Sequence, residues 1–167
     1  EEIQTVDTWV ANGAPAGVRQ SNGVAAVSTP ESKADVVLSV PKHFHLPANA
    51  TIEYQYVILP FPLDSDKWVK RVQVRPSNQS VVHHAVLYVR EPRSTWLRDV
   101  EPGVFYGPSR GDALLRARDT KADILAVYAP GAPDVDLPDG MAKKIPAGSD
   151  LVLQLHYTSR KTPQTDQ

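Results

Sequence analysis

Ser80-Val-Val-His-His-Ala-Val-Leu-Tyr-Val89 reads as a buried strand interrupted by two imidazoles. Successive strand side chains point to opposite faces. An ordinary strand therefore sends one of His83 and His84 into the core and the other outward. A buried neutral imidazole needs partners for both ring nitrogens, and the apolar neighbours offer none. A metal ion meets that need, because imidazole is the commonest side-chain ligand for copper, zinc and nickel. A third candidate, His156, lies in a second apolar run, Asp150-Leu-Val-Leu-Gln-Leu-His-Tyr157. Two strands of one sheet or sandwich could bring it against the pair. Adjacent histidines reach one ion only at a strand end or bulge, or through different ring nitrogens. The same residues also fit a plainer arrangement, one core histidine and one surface histidine.

The segments around these runs carry the same signal. Thr51–Ile58 alternates, with Ile52, Tyr54, Tyr56 and Ile58 predicted on one face and Thr51, Glu53 and Gln55 on the other. Trp68–Arg75 alternates too and stops at Pro76. Asp35–Val40 is a short apolar run closed by Pro41, Ile124–Tyr128 is a further strand, and Lys143–Ile145 adds a short one. Turn signals separate them at Pro60-Phe-Pro62, Ser77-Asn78, Pro130-Gly131, Pro138-Asp-Gly140 and Pro146-Ala-Gly148. Many short strands punctuated by Pro and Gly, without alternating helices, indicate an all-β antiparallel sandwich over about residues 34–160. Asp112–Arg118 is the one stretch in this body that reads as helix. Ahead of it, Ile3, Val6, Trp9 and Val10 recur at helical spacing before the stop signal Asn12-Gly13. Residues 14–33 then read as a small, polar linker.

Composition narrows the partners. The chain has 167 residues, with 18 basic and 19 acidic side chains and a formal charge of -1. That balance argues against nucleic acid or an anionic membrane surface as the main partner. No apolar run is long enough to span a bilayer. The opening Glu1-Glu2 is not expected to belong to a signal peptide. With no Cys, disulfides, thiolate metal sites and a cysteine nucleophile are excluded. His43-Phe44-His45 is a two-apart pair on one face if extended, yet Pro41 and Pro47 suggest a surface loop. Met141, in a Gly/Lys-rich turn, reads as an incidental surface residue. The mixed charges between Arg90 and Asp119 read as a solvated loop region, and no phosphate loop or nucleophile elbow occurs.

Four segments together carry a family resemblance. They are Asp66-Lys-Trp-Val-Lys-Arg-Val-Gln-Val-Arg-Pro76, Val82-His-His-Ala-Val-Leu-Tyr-Val89, Tyr128-Ala-Pro-Gly131 and Pro146-Ala-Gly-Ser149 running into Leu151-Val-Leu-Gln-Leu-His-Tyr-Thr158. They resemble the N-terminal domain of the copper type II, ascorbate-dependent monooxygenases, a family including peptidylglycine α-hydroxylating monooxygenase and dopamine β-monooxygenase. The likeness is to bacterial members fused to cytochrome-c-like modules, and its specificity lies in the His-His pair combined with the later Leu-His-Tyr.

The resemblance implies an antiparallel jelly-roll β-sandwich with a short N-terminal helix. It maps the family's electron-transfer copper onto His83, His84 and His156, with no catalytic residue in this chain. Residues 1–33 look like the last helix and linker of a preceding cytochrome-c-like module, and 34–160 like the copper-binding sandwich. Residues 161–167 are then a tail toward a C-terminal domain that would carry the oxygen-activating copper. The chain is accordingly expected to be a fragment of a longer, periplasmic or secreted redox protein, with those two modules as its partners. His43 and His45 precede the His-His pair and are not assigned to the second copper. Ala85 stands where the animal enzymes place Met, and their disulfides are missing, so substrate identity does not carry over. Two other readings stay open: a non-catalytic β-sandwich interaction module of an extracellular protein, and a three-histidine zinc site.

Overall fold

A computed structural model describes residues 2–17, 33–108 and 122–167. The chain separates into two compact units, Glu1–Ser32 and Lys33–Gln167. The expected helix over Asp112–Arg118 lies outside the described residues.

In the first unit, helix α1 spans Glu2–Ala11 and opens with an acid in its first turn, where the helix dipole favours negative charge. Its end is the one Asn12-Gly13 foretells. Gly13 adopts φ +81°, its amide donates to Val10 O (3.0 Å), and the Ala14 amide donates to Trp9 O (2.9 Å). The Trp9 indole N–H donates to Pro15 O (3.0 Å). No residue of the helix is buried. Among the described residues no helix is long and apolar enough to cross a membrane.

The second unit is all β and antiparallel. Its strands are β1 (Phe44–Leu46), β2 (Thr51–Leu59), β3 (Lys67–Val69), β4 (Arg71–Val72), β5 (Val82–Arg90), β6 (Ala122–Tyr128), β7 (Val135–Asp136), β8 (Lys143–Ile145), β9 (Asp150–Thr158) and β10 (Gln164–Asp166). One four-stranded sheet has the order β2-β9-β5-β6, and the short strands pair as β1-β10, β3-β8 and β4-β7.

Strand β9 sits inside the large sheet and is covered on both faces, with Leu151, Leu153, Leu155 and Tyr157 on one and Asp150, Val152, Gln154 and His156 on the other. The first four enter the larger core with Val57, Leu59, Ala85, Leu87 and Val89. The short pairs close it from the other side with Leu46, Val69, Val72, Val135 and Ile145, which makes the unit sandwich-like. Val152 faces a smaller core of Tyr56, Ile58, Trp96 and Leu97. Gly103 ties the loop around this second core to β2, its amide donating to Ile58 O (2.9 Å). It sits at φ +74°, and a Cβ there would lie 2.6 Å from Pro41 Cγ, so only glycine fits.

The strand pattern read from sequence needs four corrections. Asp35–Val40 is not a strand, because Val40 alone of its valines is buried while Val36 and Val37 face solvent. Trp68–Arg75 is two short strands rather than one. The opposing chain turns at Pro138–Gly140, so the pairing passes from β8 to β7 at Lys70, and Trp68 is exposed. Residues 161–167, expected as a tail, carry β10, whose register Phe44↔Asp166 and Leu46↔Gln164 anchors it on β1. His43-Phe44-His45, expected as a loop, runs into β1 because Phe44 stacks on Tyr157, with centroids 4.9 Å apart and planes 8° apart.

Candidate metal centre

The second face of the large sheet is organised in rows across β2, β9 and β5. Arg90 lies opposite Asp150, Val152 lies between Tyr88 and Ile58, and Gln154 lies between Val86 and Tyr56. The next row places His84 directly opposite His156. Arg90, almost fully buried, closes one end by donating to Trp96 O (2.8 Å), Leu97 O (2.7 Å) and the Asp150 carboxylate (2.5 Å). The histidine row closes the other.

Both neighbours of β9 bulge at the level of His156. On β5, Val82 pairs with Tyr157 and His84 with His156, which leaves His83 as an extra residue. On β2, Ile52 pairs with Tyr157 and Gln55 with Leu155, so Glu53 and Tyr54 together face His156. A bulge inserts one residue and shifts the side-chain alternation by one step. Hence Val82 and Ile52 pack into the larger core, while Tyr54 joins the smaller one with Tyr56 and Ile58. The uniform face expected for Ile52, Tyr54, Tyr56 and Ile58 is thus split between Ile52 and Tyr54.

The β5 bulge lets two adjacent histidines aim at one point. His83 Nδ1 lies 3.2 Å from His156 Nδ1 and 3.3 Å from His84 Nδ1. The ring centroids are 5.5 Å apart for His83 and His84, 4.9 Å for His83 and His156, and 5.1 Å for His84 and His156. The three donor nitrogens all lie within 4.8 Å of one another. Metal–nitrogen bonds of about 2.0–2.1 Å in tetrahedral arrangement place ligand nitrogens about 3.3–3.4 Å apart. The two short N···N distances match that edge.

Protons alone satisfy this cluster badly. Each Nδ1 carries either one hydrogen or one lone pair, so three convergent Nδ1 atoms cannot all be paired with one another. A cation at their centre accepts all three lone pairs. Burial first, and then the neighbouring imidazoles, hold His84 and His156 below the ordinary imidazole value of 6.5. Both rings are therefore neutral at pH 7, as ligation requires. The donor set of three imidazoles without sulfur suits copper or zinc. His156 Nε2 is buried and has no hydrogen-bond partner among the described residues.

His43 and His45 take no part. Both are exposed, and His45 Nδ1 lies 3.3 Å from Thr165 Oγ1. Met141 is also exposed. Tyr54 was not among the sequence candidates. Its ring lies 6.1 Å from that of His84 and 5.9 Å from that of His156. Strand alternation could place it on a face, but only the bulge sets it in the histidine row. No protein-family model matches the chain, and no curated protein matches it.

The depressed histidines make the metal-free fold acid-sensitive in a defined window. Below pH 6.5 the unfolded chain protonates His84 and His156 while the folded chain resists, so the unfolded state binds more protons. Unfolding free energy should therefore fall as pH drops from about 6.5 toward 5. Urea midpoints of metal-free protein at pH 7.5 and 5.5 check this. The His84→Gln/His156→Gln double variant should flatten the dependence, and an equally steep slope in that variant would remove the explanation.

Proposed function

We propose that His83, His84 and His156 bind copper and that the second unit is the electron-transfer half of a copper-dependent, monooxygenase-like redox protein. The convergence of the three Nδ1 atoms on one point carries this reading. The sequence segments that resemble the N-terminal domain of the copper type II monooxygenases contain the same three histidines. On that reading the two β layers form a jelly roll. The partners are a C-terminal domain with the oxygen-activating copper and an N-terminal cytochrome-c-like module, and the protein is periplasmic or secreted.

Copper held here would supply a one-electron couple. The imidazoles are neutral nitrogen donors that tolerate both of its oxidation states. His84 and His156 are directly paired across two hydrogen-bonded strands, and His83 is fixed by the bulge between them. Their mutual spacing is set by the ladder, which limits rearrangement when the charge at the centre changes. No sulfur ligand stands beside them, in keeping with electron passage rather than oxygen activation.

Metal analysis after incubation with equal copper and zinc tests the assignment. One copper per chain is expected, since copper exceeds zinc in affinity for nitrogen sites. Electron paramagnetic resonance of the oxidised protein should show hyperfine structure from nitrogen ligands, and ascorbate should bleach the signal reversibly. Retention of zinc against copper would favour the three-histidine zinc reading, and retention of neither would leave an interaction module.

A further inference from the structure

We infer that Tyr54, presented by the β2 bulge, is the positioning residue that fixes the ring planes of His84 and His156 for metal binding. The inference rests on the metal-binding reading of the three histidines and extends it to a residue outside the ligand set.

A metal-bound imidazole is ordinarily oriented by a hydrogen bond from its outer nitrogen to a carboxylate, carbonyl or water. His156 lacks that anchor among the described residues: its Nε2 is buried and makes no hydrogen bond. Its orientation must then come from packing. The Tyr54 ring is beside it, with centroids 5.9 Å apart and planes inclined by 57°. The same ring meets His84 edge-on at 6.1 Å and 64°. One aromatic side chain thus touches two of the three candidate ligands. Edge contacts of this kind fix the relative orientation of rings, because a ring's positive edge favours its neighbour's negative face.

The backbone is built to deliver it. Without the extra residue in β2, the pairing Ile52↔Tyr157 would continue as Glu53 opposite His156, and Tyr54 would turn to the opposite face. The bulge keeps Tyr54 in the row of His156 and His84. The rest of the Tyr54 ring packs against the smaller core, so the wall it forms is held from behind. Two bulges on the two neighbours of one strand, both at His156, make a local device: one gathers the ligands and the other supplies their wall.

The test uses the full chain with Tyr54→Ala, Tyr54→Leu and Tyr54→Phe. Copper affinity is read by competition with a chelator, zinc affinity likewise, and the oxidised copper protein by electron paramagnetic resonance. Urea unfolding of each metal-free variant reports its fold. Tyr54→Ala should bind copper about ten- to a hundredfold more weakly, the usual cost of losing an outer support of a metal ligand. Its spectrum should broaden or shift as the histidine planes lose definition. Tyr54→Phe, which keeps the ring, should restore both affinity and spectrum, whereas Tyr54→Leu, which keeps only bulk, should not restore the spectrum. If Tyr54→Ala does not fold, the Leu and Phe variants decide alone. Wild-type affinity and spectrum in the Leu variant overturn the inference while leaving the metal site standing. Failure of the wild-type protein to bind either metal overturns the metal reading itself.

Discussion

Replacing any one of His83, His84 and His156 with Ala should weaken copper binding by about two orders of magnitude, because a binding free energy of about 10 kcal/mol shared by three ligands loses about 3 kcal/mol with each. The metal-free fold should survive. His83 is exposed at the bulge, and the other two are only partly buried at the end of the sheet, away from the leucine rows of β9. Metal should also stop protecting the fold. A ligand present at about a thousand times its dissociation constant adds about 4 kcal/mol to unfolding, and at that same concentration a hundredfold weaker site retains about 1.4 kcal/mol. Chelator competition and urea midpoints with and without copper measure the two effects. His43→Ala and His45→Ala should change neither, since His43 just before β1 and His45 within it are both exposed and outside the cluster. A single His→Ala variant at 83, 84 or 156 that keeps wild-type affinity would sink the three-ligand site.

Much of this site was legible in the sequence because its two halves are written in strands. The Val-Val-His-His-Ala-Val-Leu and Leu-Val-Leu-Gln-Leu-His-Tyr runs mark buried strands by apolar content alone, and histidines within them call for partners. Adjacency of His83 and His84 called for a bulge, a strand end or ligation through different ring nitrogens, and β5 bulges at His83. Register was not legible. It depends on which strand lies beside which, and the order β2-β9-β5-β6 joins segments far apart in the chain. That is why Tyr54 escaped notice, although its face relative to Tyr56 and Ile58 was readable. The same limit applies at the edges. Gln164-Thr-Asp166 has no strand pattern, and becomes β10 because its side chains fit partners already in place.

Asp166→Ala should lower the stability of the second unit by about 3 kcal/mol, since removing a buried acceptor strands each donor at roughly 1 kcal/mol or more. The Asp166 side chain is buried, and three donors converge on it. Ser77 Oγ lies at 3.1 Å, the Asn78 amide at 2.8 Å and the Tyr157 hydroxyl at 3.1 Å. Burial, and then the carboxylate beside it, pushes the Tyr157 phenol up, so it stays a donor. Gln167 completes the clasp, its amide donating to Ser77 Oγ (2.9 Å) and its side chain to Val40 O (2.9 Å). These contacts join the turn that leads into β5 to the end of β9, the two strands that carry His83, His84 and His156. In a unit of this size about 3 kcal/mol corresponds to a fall of about 10 °C in Tm. Asp166→Asn should cost less, because it keeps one acceptor oxygen and the side-chain shape. Added copper should recover part of the loss in Asp166→Ala, since binding favours whichever state holds the three nitrogens together. Urea unfolding of the three proteins decides the matter: an unfolding free energy for Asp166→Ala within about 0.5 kcal/mol of wild type, the range of ordinary surface changes, would show that the clasp is not what holds the two strand ends in register.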